Sequence, residues 1–181
     1  MLKILSAPNK ILARSVQPVT EINDKIRKLV TDMEETLAAQ NDPPGVGLAG
    51  PQVGKNLAIF IIKPSEKAKT KVFINPKILK YEIRQDPSSK KRKSESVRLE
   101  GCLSIPRIWG AVERANKILL EYQDLTLPTA SVKRGWFQGL EAVIIQHEMD
   151  HLCGVLFTQR VIEQNRLLYE EKNGELEKID Y

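Results

Sequence analysis

Histidine and cysteine are scarce in this chain, with two of each among 181 residues. Two cysteines cannot build the dense disulfide framework of a small secreted domain. No basic-then-apolar leader precedes LKILSAP, so a cytoplasmic, reducing location is expected. Long apolar runs are missing too. The longest, Leu57 to Ile62, falls far short of the roughly 20 residues that cross a bilayer, so no membrane association is expected. The absence of an internal repeat excludes a solenoid. What remains is ordinary: 41% hydrophobic and 28% charged residues, the composition of a single globular domain spanning 1–181.

The two histidines gain weight from their rarity because they stand together. His147 and His151 flank Glu148 in QHEMDHLCG. Four residues advance a helical side chain by about 400°, so both imidazoles share one face, one turn apart. That spacing offers two nitrogen ligands to one metal ion, with the adjacent carboxylate placed to act on a bound water.

Catalytic zinc-type centres use three protein ligands and keep one position open. The extension HExxHxxGxxH fits as far as Gly154 but holds Phe157 at its third histidine position, so a three-histidine site is excluded. The third ligand is therefore Cys, Asp or Glu. Glu163 and Glu170 lie downstream. Cys153, two residues past His151, faces another side of a continuing helix, and a small buried apolar role is expected for it. Cys102 sits in EGCLSIP, flanked by glycine and ended by proline, where an irregular strand or loop presents a side chain.

Gly45, Gly47 and Gly50 satisfy the dinucleotide pattern GxGxxG, but the context contradicts it. The fingerprint needs a buried strand before it and a helix directly after it. Here NDPP precedes it and Pro51-Gln52-Val53-Gly54 follows, so no nucleotide cofactor is expected. Glycines can instead allow close backbone approach to an extended ligand.

The coarse layout is α+β. Thr20 is expected to cap a helix over about 21–39, with Ile22, Ile26, Leu29, Val30, Met33 and Leu37 as its apolar stripe. Leu57–Ile62, Val72–Asn75 and parts of ILKYEIR and ILLEYQ read as strands. A second helix, carrying the histidine pair, is expected to begin near Phe137 or Gln138. A third is expected over 163–172 within a helix-and-tail segment of about 163–181, ending before Gly174, with LEKIDY returning as a short edge strand.

Three segments together carry a resemblance. GVGLAGPQ (Gly45 to Gln52), EGCLSIP (Glu100 to Pro106) and QHEMDHLCG (Gln146 to Gly154) resemble the ordered motifs GxGLAxxQ, EGCLS and QHExDH of the peptide deformylases. With the LKILSAPNKIL opening, the likeness covers about residues 1–160. It implies antiparallel sheets packed around a central helix carrying the HExxH motif. It implies a hydrolase of protein biosynthesis and N-terminal processing that removes the N-formyl group from nascent formyl-methionyl polypeptides. One divalent metal, Fe2+ or in its place Zn2+, Ni2+ or Co2+, is then held by Cys102, His147 and His151. Glu148 becomes the proton carrier, and the Gln52 side-chain amide and the Leu103 backbone N–H become the oxyanion donors. Gly45, Val46, Gly47 and Gly101 are expected to meet the peptide backbone, and Val143 and Ile144 to wall a methionine pocket.

Three departures bear on that expectation. Gly50 and Trp109 replace the alanine and arginine that many relatives carry, which alters the approach to Gln52 and the pocket entrance. The segment between Pro76 and Glu100 is long, with a basic loop insertion at about 84–98. Lys77 to Arg98 holds eight basic and three acidic residues, an excess equal to the whole chain's formal charge of +5. The loop is thus a candidate contact for ribosomal RNA. Arg160 to Tyr181, with four basic and six acidic residues, is poorly suited to that task.

Overall fold

The computed structural model describes residues 1–41, 44–82, 97–125 and 131–180. Two antiparallel sheets form its frame. The first has five strands in the order β1 (Gly47–Ala49), β2 (Ile59–Ile62), β3 (Lys71–Glu82), β6 (Lys117–Gln123), β7 (Lys133–Gln138). The second has four, in the order β4 (Val97–Cys102), β5 (Ile105–Glu113), β8 (Leu168–Lys172), β9 (Glu175–Ile179). Among the described residues, three α-helices accompany them: α1 (Asp24–Ala38), α2 (Leu140–Leu152) and α3 (Phe157–Glu163). The α+β class and the central histidine-bearing helix are as expected.

Strand β2 shows why the first sheet is covered on both faces. Its four residues are all fully buried, and alternation sends them to opposite sides. Ile59 and Ile61 join Ile26, Val30 and Met33 of α1, while Phe60 and Ile62 join Phe73 and, from α2, Ala142, Ile144 and Ile145. A smaller core, with Val112, Phe157, Val161 and Leu168, fixes α3 to the second sheet.

Several boundaries differ from the sequence reading for local reasons. The α1 cap is Asn23, not Thr20, and its side chain accepts from the N–H groups of Lys25 and Ile26. Helix α2 starts at Leu140 because Phe137 and Gln138 belong to β7, which pairs with β6 through Phe137↔Ile118 and Gln138↔Lys117. Gly139, with φ 61°, makes the turn between strand and helix, a conformation suited to glycine.

The helix expected over 163–172 is the largest correction. Helix α3 lies earlier, where Phe157 and Val161, one turn apart, bury one stripe. Residues 168–172 are strand β8, anchored by Leu168 opposite Gly110. Asn173 and Gly174, with φ 53° and 84°, then form a two-residue hairpin into the edge strand β9. That edge strand is the return expected of LEKIDY. The basic loop, Lys90 to Lys93 included, falls outside the described residues except for its last positions in β4.

Candidate active site

Helix α2 has almost no free face: Ala142 to Gln146, Glu148 and Asp150 to Leu152 are all buried. Polar groups placed there must find partners inside the protein. Gln146 does so locally, accepting from Ala115 N–H at 3.0 Å and donating to the Ala115 and Ala142 carbonyls at 2.8 Å each. Helix α2 ends at Cys153, and Gly154 follows with φ 74°. A Cβ on Gly154 would lie 2.6 Å from the Arg14 nitrogen, so the turn is pressed against the N-terminal segment.

The histidine pair meets Cys102 at the end of β4. One ligand atom from each of Cys102, His147 and His151 lies within 4.8 Å of the others. Cys102 Sγ is 3.2 Å from His151 Nε2, and Ser104 N–H donates to the sulfur at 3.4 Å. Burial pushes the Cys102 thiol up, yet His151 and hydrogen bonding to His147 outweigh it and hold it well below its usual value. The thiolate is the form that ligates a metal. Glu148 and His151 hold the two buried side-chain polar atoms without a hydrogen-bond partner among the described residues, Glu148 Oε2 and His151 Nδ1. Burial pushes the Glu148 carboxyl up to about 7. A soft thiolate, two imidazoles and an unpartnered carboxylate oxygen fit a divalent ion that keeps a water. Cys102, His147 and His151 thus hold the divalent metal.

The other contenders for third ligand are engaged elsewhere. Glu163 pairs with Arg160 at 2.9 Å, and Glu170 pairs with Lys172 at 3.0 Å on strand β8. Cys153 is exposed, not buried as expected, because the helix ends there and its side chain leaves the core.

Four residues behind the histidines, Glu100, Arg114, Asp150 and Arg160, form a chain that sequence reasoning did not assign. His147 Nδ1 contacts Glu100 Oε2 at 2.9 Å, which leaves Nε2 as its ligand atom. Arg114 clamps Glu100 with two bonds, Nε to Oε1 at 2.8 Å and Nη2 to Oε2 at 2.9 Å. Its Nη1 donates to Asp150 Oδ2 at 2.6 Å, and Arg160 Nη2 donates to Asp150 Oδ1 at 2.7 Å. Although burial opposes it, the Arg114 bonds draw the Glu100 pKa down to about 2. Glu100 and Asp150 stand in the recognised motifs, but Arg114 lies in none.

Gln52 lies in the 3₁₀ turn Gly50–Val53 that follows β1. Its Oε1 accepts from Ala49 N–H at 2.8 Å, which aims Nε2 at Ser104 Oγ, 3.2 Å away, and Cys102 Sγ, 3.5 Å away. The N-terminal segment holds both neighbours in register: Leu5 N–H donates to Gln52 O at 2.8 Å, and Ala7 N–H to Ser104 O at 2.9 Å. Gly50 is closely packed, since a Cβ there would stand 2.8 Å from the Leu57 carbonyl. A Cβ on Gly47 would fall 2.2 Å from Glu148 Oε1, so β1 and the carboxylate are in direct apposition. The GxGxxG glycines therefore serve close packing.

A pocket of about 580 Å³ opens over these groups. Gly45, Val46, Gly47, Gln52, Gly101, Cys102, Leu103, Val143, Ile144, His147 and Glu148 all line it, and His151 alone of the expected site residues lies behind it. Trp109 lines it as well, at the edge.

The relatives of this chain agree with that chemistry. A sequence model described as polypeptide deformylase matches residues 1–167. The peptide deformylase of Desulfotalea psychrophila is 33% identical over 172 residues, covering 95% of this chain and 94% of that one. That of Dictyoglomus turgidum is 37% identical over 171 residues, covering 94% and 99%. Among solved structures, the actinonin complex of the Synechococcus elongatus peptide deformylase aligns with TM-score 0.75 and 34% identity, covering 88% of this chain and 80% of that one. The Thermotoga maritima peptide deformylase aligns with TM-score 0.73 and 32% identity, covering 89% and 97%.

The Arg114 clamp yields a stability prediction. Arg114→Met leaves the buried Glu100 carboxylate without its guanidinium and Asp150 with Arg160 alone, and breaking a buried pair in this way costs about 3–5 kcal/mol. Guanidinium unfolding should register that loss; a change below about 1 kcal/mol would mean the carboxylates find other partners. With the ligands, the pocket and the relatives taken together, the chain belongs to the peptide deformylase family, metal-dependent hydrolases that remove the N-formyl group from formyl-methionyl peptides.

Proposed function

We propose that Glu148 carries the proton in this deformylation and that Gln52 and Leu103 stabilise the oxyanion. The observation behind this reading is the buried, unpartnered Glu148 Oε2 beside three converging ligand atoms at the base of one pocket. When bound, the divalent ion supplies a water acidified enough to attack the formyl carbon near neutral pH. Glu148 takes a proton from the attacking water and returns it to the leaving nitrogen. A carboxyl held at about 7 suits both transfers. The Gln52 amide, fixed through Ala49, and the Leu103 backbone N–H, in the turn after Cys102, are the donors for the developing oxyanion.

Strands β1 and β4 are edge strands of their sheets, and both line the pocket. An extended formyl-methionyl peptide laid between them pairs with Gly45, Val46 and Gly47 on one side and Gly101 on the other. Val143 and Ile144, one turn before His147, wall the methionine side chain. A site that admits only a hydrogen on the scissile carbon would exclude acetylated chains by clash. Thiolate with two imidazoles accepts Fe2+, Zn2+, Ni2+ or Co2+, and we take Fe2+ as the native ion, as in the family. No helix among the described residues is long and apolar enough to cross a membrane. As part of the same reading, the place of action is the cytoplasm, on nascent chains.

Replacing Glu148 with Gln should leave the metal content of anaerobically purified protein unchanged, because Glu148 is not a ligand. Formate release should fall by roughly 10²–10⁴. Normal turnover in that variant would refute the assignment.

The basic loop is our proposed ribosomal contact, on the strength of Lys90, Lys91, Arg92 and Lys93 in one stretch. Phosphate contacts release condensed counterions, so affinity should fall steeply with salt. Exchanging all four for Ser should weaken ribosome binding and flatten that dependence, while leaving turnover of a short formyl-methionyl peptide intact. Unchanged ribosome affinity at low salt would reduce the loop to a solvated insertion.

A further inference from the structure

Ser104 is fully buried and does not line the pocket. It stands with Leu103 in the two-residue turn that joins β4 to β5, closed by the Cys102↔Ile105 pair. Three of its polar groups are engaged beside the metal centre. Its N–H donates to Cys102 Sγ at 3.4 Å, its carbonyl accepts from Ala7 N–H at 2.9 Å, and its Oγ accepts from Gln52 Nε2 at 3.2 Å. A buried serine can use such bonds merely to satisfy its own hydroxyl. Here the third partner is the donor ascribed above to the oxyanion, so the direction of that bond matters to the reaction.

An amide nitrogen carries two hydrogens, and only a fixed amide plane sends the second in a set direction. Ala49 N–H anchors Gln52 Oε1 at 2.8 Å, but one anchor leaves the group free to pivot about that oxygen. Ser104 Oγ supplies the second anchor by taking one Nε2 hydrogen. The other hydrogen then faces Cys102 Sγ, 3.5 Å away, on the pocket wall that Gln52 and Cys102 share. The two backbones are held apart from this link, because Leu5 and Ala7 of one N-terminal segment donate to Gln52 O and Ser104 O. The task of the hydroxyl is therefore confined to the amide. We propose that Ser104 is a positioning residue, which acts through Gln52 to aim one amide N–H at the developing oxyanion. This inference rests on the oxyanion role given to Gln52 above. Ser104 never meets the reacting atoms; its effect is felt only as charge develops in the transition state.

The test is a double-mutant cycle on the metal-loaded enzyme, read as kcat and KM for formate release from formyl-Met-Ala-Ser. Gln52→Ala should lower kcat about 10²-fold, as loss of an oxyanion donor does. Ser104→Ala should lower kcat about tenfold with KM nearly unchanged, since an interaction made only in the transition state is misaimed. Its metal content should match that of the unmodified enzyme, because the backbone N–H to the sulfur remains. Ser104→Ala added to Gln52→Ala should change kcat by less than about twofold, whereas a serine that only packs the turn would multiply the two losses. Ser104→Gly and the volume-keeping Gln52→Met stand in where an Ala variant does not fold. Full kcat without the Ser104 hydroxyl, or losses that multiply, would overturn the inference and leave the role of Gln52 standing. Full kcat without the Gln52 amide would instead overturn the oxyanion reading beneath it.

Discussion

The metal centre depends on keeping one carboxylate ionised inside the protein. Glu100 is buried, yet it must accept from His147 Nδ1 to leave Nε2 for the metal. A lone buried anion would take up a proton rather than remain charged. Arg114 prevents this by occupying both oxygens of Glu100, and Asp150 holds Arg114 in turn. Arg160 ties Asp150 to α3. The orientation of one imidazole therefore rests on β4, on the segment after β5, on α2 and on α3 together. Such a chain favours one arrangement and penalises any half-formed version of it.

The two sheets contribute what a single one could not. The first sheet, covered by α1 and α2, makes the rigid bed on which the HExxH helix lies. The second brings Cys102 to that helix from a strand nearly fifty residues earlier. Among the described residues, each sheet also ends in an unpaired edge at the pocket, β1 on one side and β4 on the other. Open edges are hazards for aggregation unless something fills them. In the function proposed above an extended substrate fills them, and the geometry that places the ligands would then also set the peptide path.

Much of the centre was legible in the sequence because its signals are local. The spacing of His147, Glu148 and His151 states a helix face without reference to the rest of the chain. The second sheet was harder to read. Strands β4 and β5 carry Gly101, Pro106 and Gly110, which break the alternation that marks a strand. Strand β7 is short and partly charged, so its end looked like the start of α2. Phe157 stands where a third histidine would complete the extended motif, and its burial with Val161 makes α3. Arg114 was illegible for a different reason: its partners lie 14 and 36 residues away, and nothing in its own neighbourhood announces them. Trp109 stood out as a substitution, but its bond to Glu171 spans 62 residues and needed the β5–β8 pairing to appear.

A thiolate from β4 completes the site begun by the two α2 histidines. X-ray absorption at the metal edge, on protein purified anaerobically with its metal, reads the ligand set directly. A sulfur scatterer from Cys102 is expected, with imidazole scattering from His147 and His151 and an oxygen in the remaining position. A spectrum with nitrogen and oxygen alone, unchanged by Cys102→Ser, would place the third ligand on a carboxylate and contradict it.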